Sequence, residues 1–278
     1  SSERVFMLLD EPVEVEDKKG NEIVFEKELK FENVSFSYTP EKPLMKNLDI
    51  TVKHGGLVAL VGPTGAGKTT FVNLLMRFYD VTDGKITIDG VDIRDIERDK
   101  LRSLYGMVLQ DTWLFNGTVK DNIRYGRLDA TDNEVIEAAK AARADSFIEA
   151  LPDGYDTILD ENGSNLSQGQ RQLLTIARAL LKDPKILILD EATSSVDTRT
   201  ELLVQEAMNE IMKGRTNFVI AHRLSTIKKA DEILFIDNGA VKERGTHEQL
   251  LKKDGLYADM YYSQFGKMVS KKTLQTDK

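Results

Sequence analysis

VALVGPTGAGKTTFVNLLMRFY, residues 58–79, joins three local signals in one short run. Residues 58–61 are continuously apolar, as expected of a parallel strand covered on both faces. FVNLLMRFY carries the spacing of an amphipathic helix. Between them GPTGAGKTT, residues 62–70, fits the pattern G-x-x-x-x-G-K-[ST]. Set between strand and helix, that pattern cradles phosphate: its glycines let backbone N–H groups curl around an anion that the helix N-terminus also favours. Gly62, Pro63, Thr64, Gly65, Ala66, Gly67, Lys68, Thr69 and Thr70 are therefore the candidate phosphate-binding residues. Lys68 has the reach for β and γ phosphates, and the Thr69 hydroxyl is a candidate ligand for Mg²⁺.

Such a loop sets an expectation for the rest of the sheet. Open α/β sheets bind ligands at the carboxyl ends of their strands, so polar groups are expected where other buried apolar runs stop. Three runs end this way: ILIL at 186–189 in Asp190-Glu191, FVIA at 218–221 in His222, and MVL at 107–109 in Gln110. Phosphoryl transfer to water needs a metal ion on the phosphates, donors for the developing charge, and a group that orients the water. Asp190 suits the metal. Glu191, one residue further out, suits the base or water-positioning carboxylate, and His222 suits a hydrogen bond to the γ-phosphate.

Further out, apolar residues alternate at Leu29/Phe31, Val34/Phe36 and Leu48/Ile50/Val52, the period of half-buried antiparallel strands. Residues 121–181 are mostly helical in pattern, and EVIEAAKAARADSFIEAL at 134–151 reads as helix up to a break at Pro152, Asp153 and Gly154. Asn238-Gly239 closes a hairpin. Residues 1–10 read as a short amphipathic helix, followed by an acidic, solvated linker with a boundary near Gly20. With 278 residues, 41% of them apolar, the chain has the means for a full globular core. No run approaches the roughly 18 apolar residues of a membrane helix. No secretory leader is read at Ser1, and the absence of cysteine leaves the redox compartment open. A formal net charge of -8 argues against a broad nucleic-acid-binding surface.

NLSQGQRQLLTIARALLKDP, residues 165–184, adds a capping box between Ser167 and Gln170, apolar residues at helical spacing over 173–181, and Pro184 just beyond. With it the chain resembles the ABC ATPases. Their signature LSGGQ is matched by LSQGQ at 166–170, and their Walker B motif by ILILDE at 186–191. The resemblance spans nearly the whole chain. It implies an α/β fold: a P-loop NTPase core with a mostly parallel sheet, an N-terminal antiparallel β subdomain within about 21–100 and an inserted α-helical subdomain at about 111–182, after a linker at 1–20. It implies ATP and Mg²⁺ as cofactors. It also implies a head-to-tail dimer of two ABC ATPase domains, in which Ser167, Gln168, Gly169 and Gln170 close on ATP held by the partner's phosphate loop. By matched position, Tyr38 resembles the aromatic residue that stacks on adenine, and Gln110 the Q-loop glutamine near Mg²⁺ and water. Asp197 of SSVD, 194–197, resembles the D-loop aspartate at the dimer seam, and His222 the switch histidine. His54 and His247 match no such position and read as structural or surface residues.

Three segments resemble exporters in particular: SSERVFMLLDEP their linker from the membrane domain, DTWLFNGTVKDNIRYG the stretch after their Q-loop, and GTHEQLLKKDGLYADMYYSQ their C-terminal helices. This implies a transmembrane domain in the same polypeptide and a place on the cytoplasmic face of the cell membrane. Trp113, Leu114 and Phe115 are candidates for contact with that domain's coupling helices, and at least one of them equally suits a core position. Two departures stand out. Gln168 occupies a usual glycine position, and TILDENG at 157–163 replaces a TEVGERG-like stretch. With Glu191 and His222 intact, the combination resembles one half of a bacterial heterodimeric multidrug or lipid exporter, and homodimer and heterodimer both stay open. A GTPase would carry an N-K-x-D-like motif, which is absent. The remaining alternative is a soluble ABC ATPase or ATP-gated dimerisation clamp uncoupled from transport.

Overall fold

The computed structural model describes residues 2–11, 23–39, 41, 43–110, 112–160, 163–191 and 198–273. The chain opens with α1 (Ser2–Leu9), on which Val5, Phe6, Met7 and Leu9 are exposed. Next β1 (Glu28–Phe36) and β2 (Met45–Lys53) pair antiparallel, Leu29 opposite Val52 and Phe31 opposite Ile50. Then β3 (Leu57–Val61) feeds through the glycine-rich loop into α2 (Lys68–Leu75). Strands β4 (Asp83–Ile88) and β5 (Val91–Asp92) complete an antiparallel sheet of order β2-β1-β4-β5. After α3 (Arg98–Ser103) and β6 (Tyr105–Val108) comes a mainly helical stretch: β7 (Gly117–Thr118), α4 (Val119–Arg124), α5 (Asp132–Ala141), α6 (Asp145–Glu149), β8 (Ile158–Leu159) and α7 (Gln168–Lys182). The chain finishes with β9 (Ile186–Asp190), α8 (Thr198–Met212), β10 (Thr216–Ile220), α9 (Leu224–Lys229), β11 (Glu232–Asp237), β12 (Ala240–Gly245), α10 (His247–Lys253) and α11 (Leu256–Thr273).

The second sheet has the order β12-β11-β3-β10-β9-β6 and is parallel except for β12. Its continuous apolar strands follow from being covered on both faces. Ala59 and Val61, Leu187 and Leu189, and Val219 enter one core with α7 and α8. Their neighbours Val58 and Leu60, Ile186 and Ile188, and Phe218 enter the other, with α2 and the antiparallel sheet. Period-2 alternation thus divides one run of apolar residues between two cores. Burying each of the valine, leucine, isoleucine and phenylalanine side chains contributes about 1.5–3 kcal/mol, so neither face tolerates a polar replacement.

Helix α7 follows its sequence signals closely. Ser167 Oγ accepts from the Gln170 backbone N–H, the Gln170 side chain accepts from Ser167 N, and Asp183 ends the helix in the left-handed region before Pro184. The hairpin at 238–239 likewise has positive φ at Asn238 and Gly239, joining β11 to β12. The helix expected over 134–151 is corrected. It breaks between α5 and α6 at Arg143, φ 60°, as well as before Pro152. Ala142 and Ala144 on either side are fully buried, so tertiary packing sets that turn where no glycine or proline announces it.

Candidate active site

The glycine-rich loop leaves β3 at Gly62, whose φ of 149° suits glycine; a Cβ there would lie 2.0 Å from the Ile236 carbonyl oxygen. β11 is therefore packed against the loop's first residue. Gly239 N donates to Ala66 O at 2.8 Å, which ties the loop to the β11–β12 hairpin as well. Gly62→Ala is expected to displace one of these segments and to destabilise the fold by about 3 kcal/mol or more, read as a lowered thermal midpoint.

At the other end of the loop Gly67, φ 106°, precedes α2 and offers no side-chain cap. The contrast with α5, α7 and α10 is informative, because each of those begins with a full capping box. The first N–H groups of α2 are therefore without a side-chain cap, the arrangement that suits an anion. Lys68 Nζ folds back onto Gly62 O and Pro63 O, each at 2.8 Å. Burial pulls the Lys68 ammonium below its ordinary pKa, and the nearby Asp190 carboxylate opposes that pull.

An open cleft of about 530 Å³ lies over this loop. Thr64, Gly65, Lys68 and Thr69 line it, joined by Asp190 at the end of β9, His222 after β10 and Gln110 after β6. The polar ends of three separate strands, read from the sequence one at a time, therefore face one space. Thr69, Gln110 and Asp190 offer a hydroxyl, an amide carbonyl and a carboxylate, the hard oxygen donors that Mg²⁺ takes. Tyr38 stands at the rim beside Thr70. Its hydroxyl lies 3.1 Å from Thr70 Oγ1 and accepts from Asn73 Nδ2 at 3.3 Å, while Phe36 and Tyr79 meet its ring in T-shaped contacts. Half of Tyr38 is exposed, which leaves ring surface for a planar ligand.

Glu191 is held differently. It is 4% exposed and does not line the cleft; its Oε1 accepts from Thr226 Oγ1 at 2.6 Å. Burial pushes its carboxyl above the ordinary value, against the pull of the Thr226 hydroxyl, the Arg223 guanidinium and the backbone N–H groups of Arg223 and His222. The Thr226 partnership escapes sequence reading because 35 residues separate the two side chains.

The signature residues stand apart. Ser167 and Gln168 are exposed at the start of α7, Gly169 is buried, and none of Ser167, Gln168, Gly169 and Gln170 lines the cleft. Asp197 lies outside the described residues. Of the two remaining histidines, His54 packs on Phe25 at 5.2 Å and His247 Nδ1 lies 2.7 Å from the Tyr257 hydroxyl, both away from the cleft.

Loop, sheet and cleft together define a P-loop nucleotide-binding domain. Comparison with known proteins narrows the class: the model of the ABC transporter family matches residues 45–194, and the chain belongs to that family. It is 54% identical over 268 residues to YfiC, an ABC transporter ATP-binding protein of Bacillus subtilis, with 96% of this chain and 44% of the relative covered. It is also 54% identical, over 260 residues, to a fatty acid ABC transporter ATP-binding/permease protein of Mycobacterium bovis, covering 94% of this chain and 41% of that one. Among solved structures, a bacterial Atm1-family ABC exporter with ATP bound matches with a TM-score of 0.85 and 45% identity, over 95% of this chain and 46% of the exporter chain. The chain thus spans less than half the length of these relatives. Among its described residues no helix is long and apolar enough to cross a membrane.

Proposed function

We propose that this chain is the ATP-hydrolysing motor of an ABC exporter, working with a transmembrane domain of the same polypeptide at the cytoplasmic face of the membrane. The observation that carries the hydrolytic reading is the single cleft shared by the phosphate loop, Asp190, Gln110 and His222. In this reading Lys68 and the first N–H groups of α2 hold the β and γ phosphates, Tyr38 supports the adenine, and Thr69, Gln110 and Asp190 hold Mg²⁺. Bound Mg²⁺ supplies neutralisation of the phosphate charge. His222 donates to the γ-phosphate, and Glu191 orients the attacking water.

The exposed start of α7, outside this cleft, supports a composite site. The Ser167–Gln170 turn completes the ATP site of a second ABC ATPase domain in head-to-tail pairing, with Asp197 near the seam. Gln168 adds an amide able to donate to the partner's phosphate.

Coupling to a membrane domain has its own support. Trp113 and Tyr125 are each about half exposed, Phe115 meets both rings at 5.9 and 5.7 Å, and Leu114 is buried. Arg178 fastens this face, donating to Trp113 O at 3.0 Å and to Asn122 O at 2.8 Å and lying over the Tyr125 ring. Exposed aromatic surface of this kind marks a docking site, and a coupling helix is the proposed occupant. The hydrolytic reading is tested by phosphate release with ATP and Mg²⁺. Release is expected to fall to background when the metal is chelated and to return when Mg²⁺ is restored; release indifferent to the chelator would overturn it.

A further inference from the structure

We infer that Thr226 is the positioning residue for Glu191: its hydroxyl anchors one carboxylate oxygen so that the other, Oε2, is the acceptor presented to the attacking water. This rests on the proposed role of Glu191 as the water-orienting carboxylate. Glu191 N donates to Ile220 O at 3.1 Å, which fixes the residue where β9 ends against β10. Its flanking neighbours in space, Asp190 and His222, both line the nucleotide cleft. Thr226 sits in the first turn of α9, is 4% exposed, and donates through Oγ1 to Glu191 Oε1 at 2.6 Å, the length of a charge-assisted bond. Glu191 Oε2 is buried as well, yet has no hydrogen-bond partner among the described residues. The backbone N–H groups of His222 and Arg223 also favour the Glu191 charge.

A carboxylate serving only the fold has both oxygens satisfied, because an unpaired buried acceptor is costly. Here one oxygen is tied and the other, equally buried, has no hydrogen-bond partner among the described residues, which leaves an acceptor for a water that reaches it. The anchor also shares a segment with the γ-phosphate donor: Thr226 follows His222 by four residues, and Arg223 between them binds Gln205 and Glu201 of α8. Movement of the histidine segment therefore carries the anchor of the base with it.

The test compares hydrolysis and ATP binding by the full chain carrying Thr226→Val, Thr226→Ala, Thr226→Ser or Glu191→Gln. Valine keeps the shape and removes the hydroxyl, alanine removes it without adding a methyl, and serine keeps it. Valine and alanine are expected to lower kcat by about 10-fold or more, as loss of a hydrogen bond to a charged group does, with ATP affinity changed by less than about 2-fold. Serine should keep kcat within about 3-fold of wild type. Valine added to Glu191→Gln should cost little more, since the two act as one unit. A valine or alanine variant with wild-type kcat, beside an inactive Glu191→Gln, would overturn the role of Thr226 while leaving that of Glu191 standing. Serine as defective as valine would overturn it too, pointing to packing. Wild-type hydrolysis by Glu191→Gln would overturn both.

Discussion

Lys68→Ala is expected to reduce phosphate release at least about 100-fold, the usual consequence of removing a donor aimed at developing charge, and to weaken ATP binding as well. The Lys68 ammonium is half-buried and, among the described residues, bonded to two backbone carbonyls of its own loop, with the Asp190 charge close by. Among the described residues a cation held there has lost part of its hydration without gaining a carboxylate at bonding distance, an arrangement that a triphosphate would complete. Alanine removes the charge while keeping α2, since alanine has the highest helix propensity of any residue. The thermal midpoint is therefore expected to stay within a few degrees of wild type. A variant that folds normally and still hydrolyses ATP at the wild-type rate would remove Lys68 from the phosphate site.

Glu191→Gln carries the second large effect. General-base assistance contributes about 10²–10⁴-fold, and the amide cannot accept the proton of water as the carboxylate does. Glutamine has the same shape, and its carbonyl oxygen can still accept from Thr226, so the bond from α9 has a partner. Removing a buried charge also relieves the desolvation that raises the carboxyl's pKa. The variant should fold at least as stably as wild type and bind ATP with about the same affinity. Slow hydrolysis with intact binding should then let an ATP-bound pair accumulate in gel filtration. Equal phosphate release from the two proteins would dismiss Glu191 as the base.

What the sequence discloses here is what acts locally. The phosphate loop is readable because glycine positions, a buried strand and a following helix lie within one run of residues, 58–79. The start of α7 is readable because a capping box spans only three residues, from Ser167 to Gln170. The apolar runs at β9 and β10 announce strands buried on both faces, and a general rule about strand ends then selects Asp190, Gln110 and His222 without any knowledge of strand order. That order, with β3 between β11 and β10, is invisible in the chain because it depends on contacts among distant segments. The same limit hides the turn at Arg143, where fully buried alanines on both sides outweigh helix propensity. It hides the partition of Trp113 to the surface and Leu114 to the core. It also hides the setting of Glu191: the sequence marks a carboxylate at a strand end, and only the fold brings the Thr226 hydroxyl to one of its oxygens while leaving the other open.

In the proposed function this chain hydrolyses ATP at a site that a second ABC ATPase domain completes through its signature turn. Its most direct test is phosphate release per chain, measured across a wide range of protein concentration, with the association state followed by sedimentation in the same samples. Release per chain is expected to rise with the fraction of paired domains and to disappear as the domain becomes monomeric. A rate per chain that stays constant into the monomeric range would contradict it.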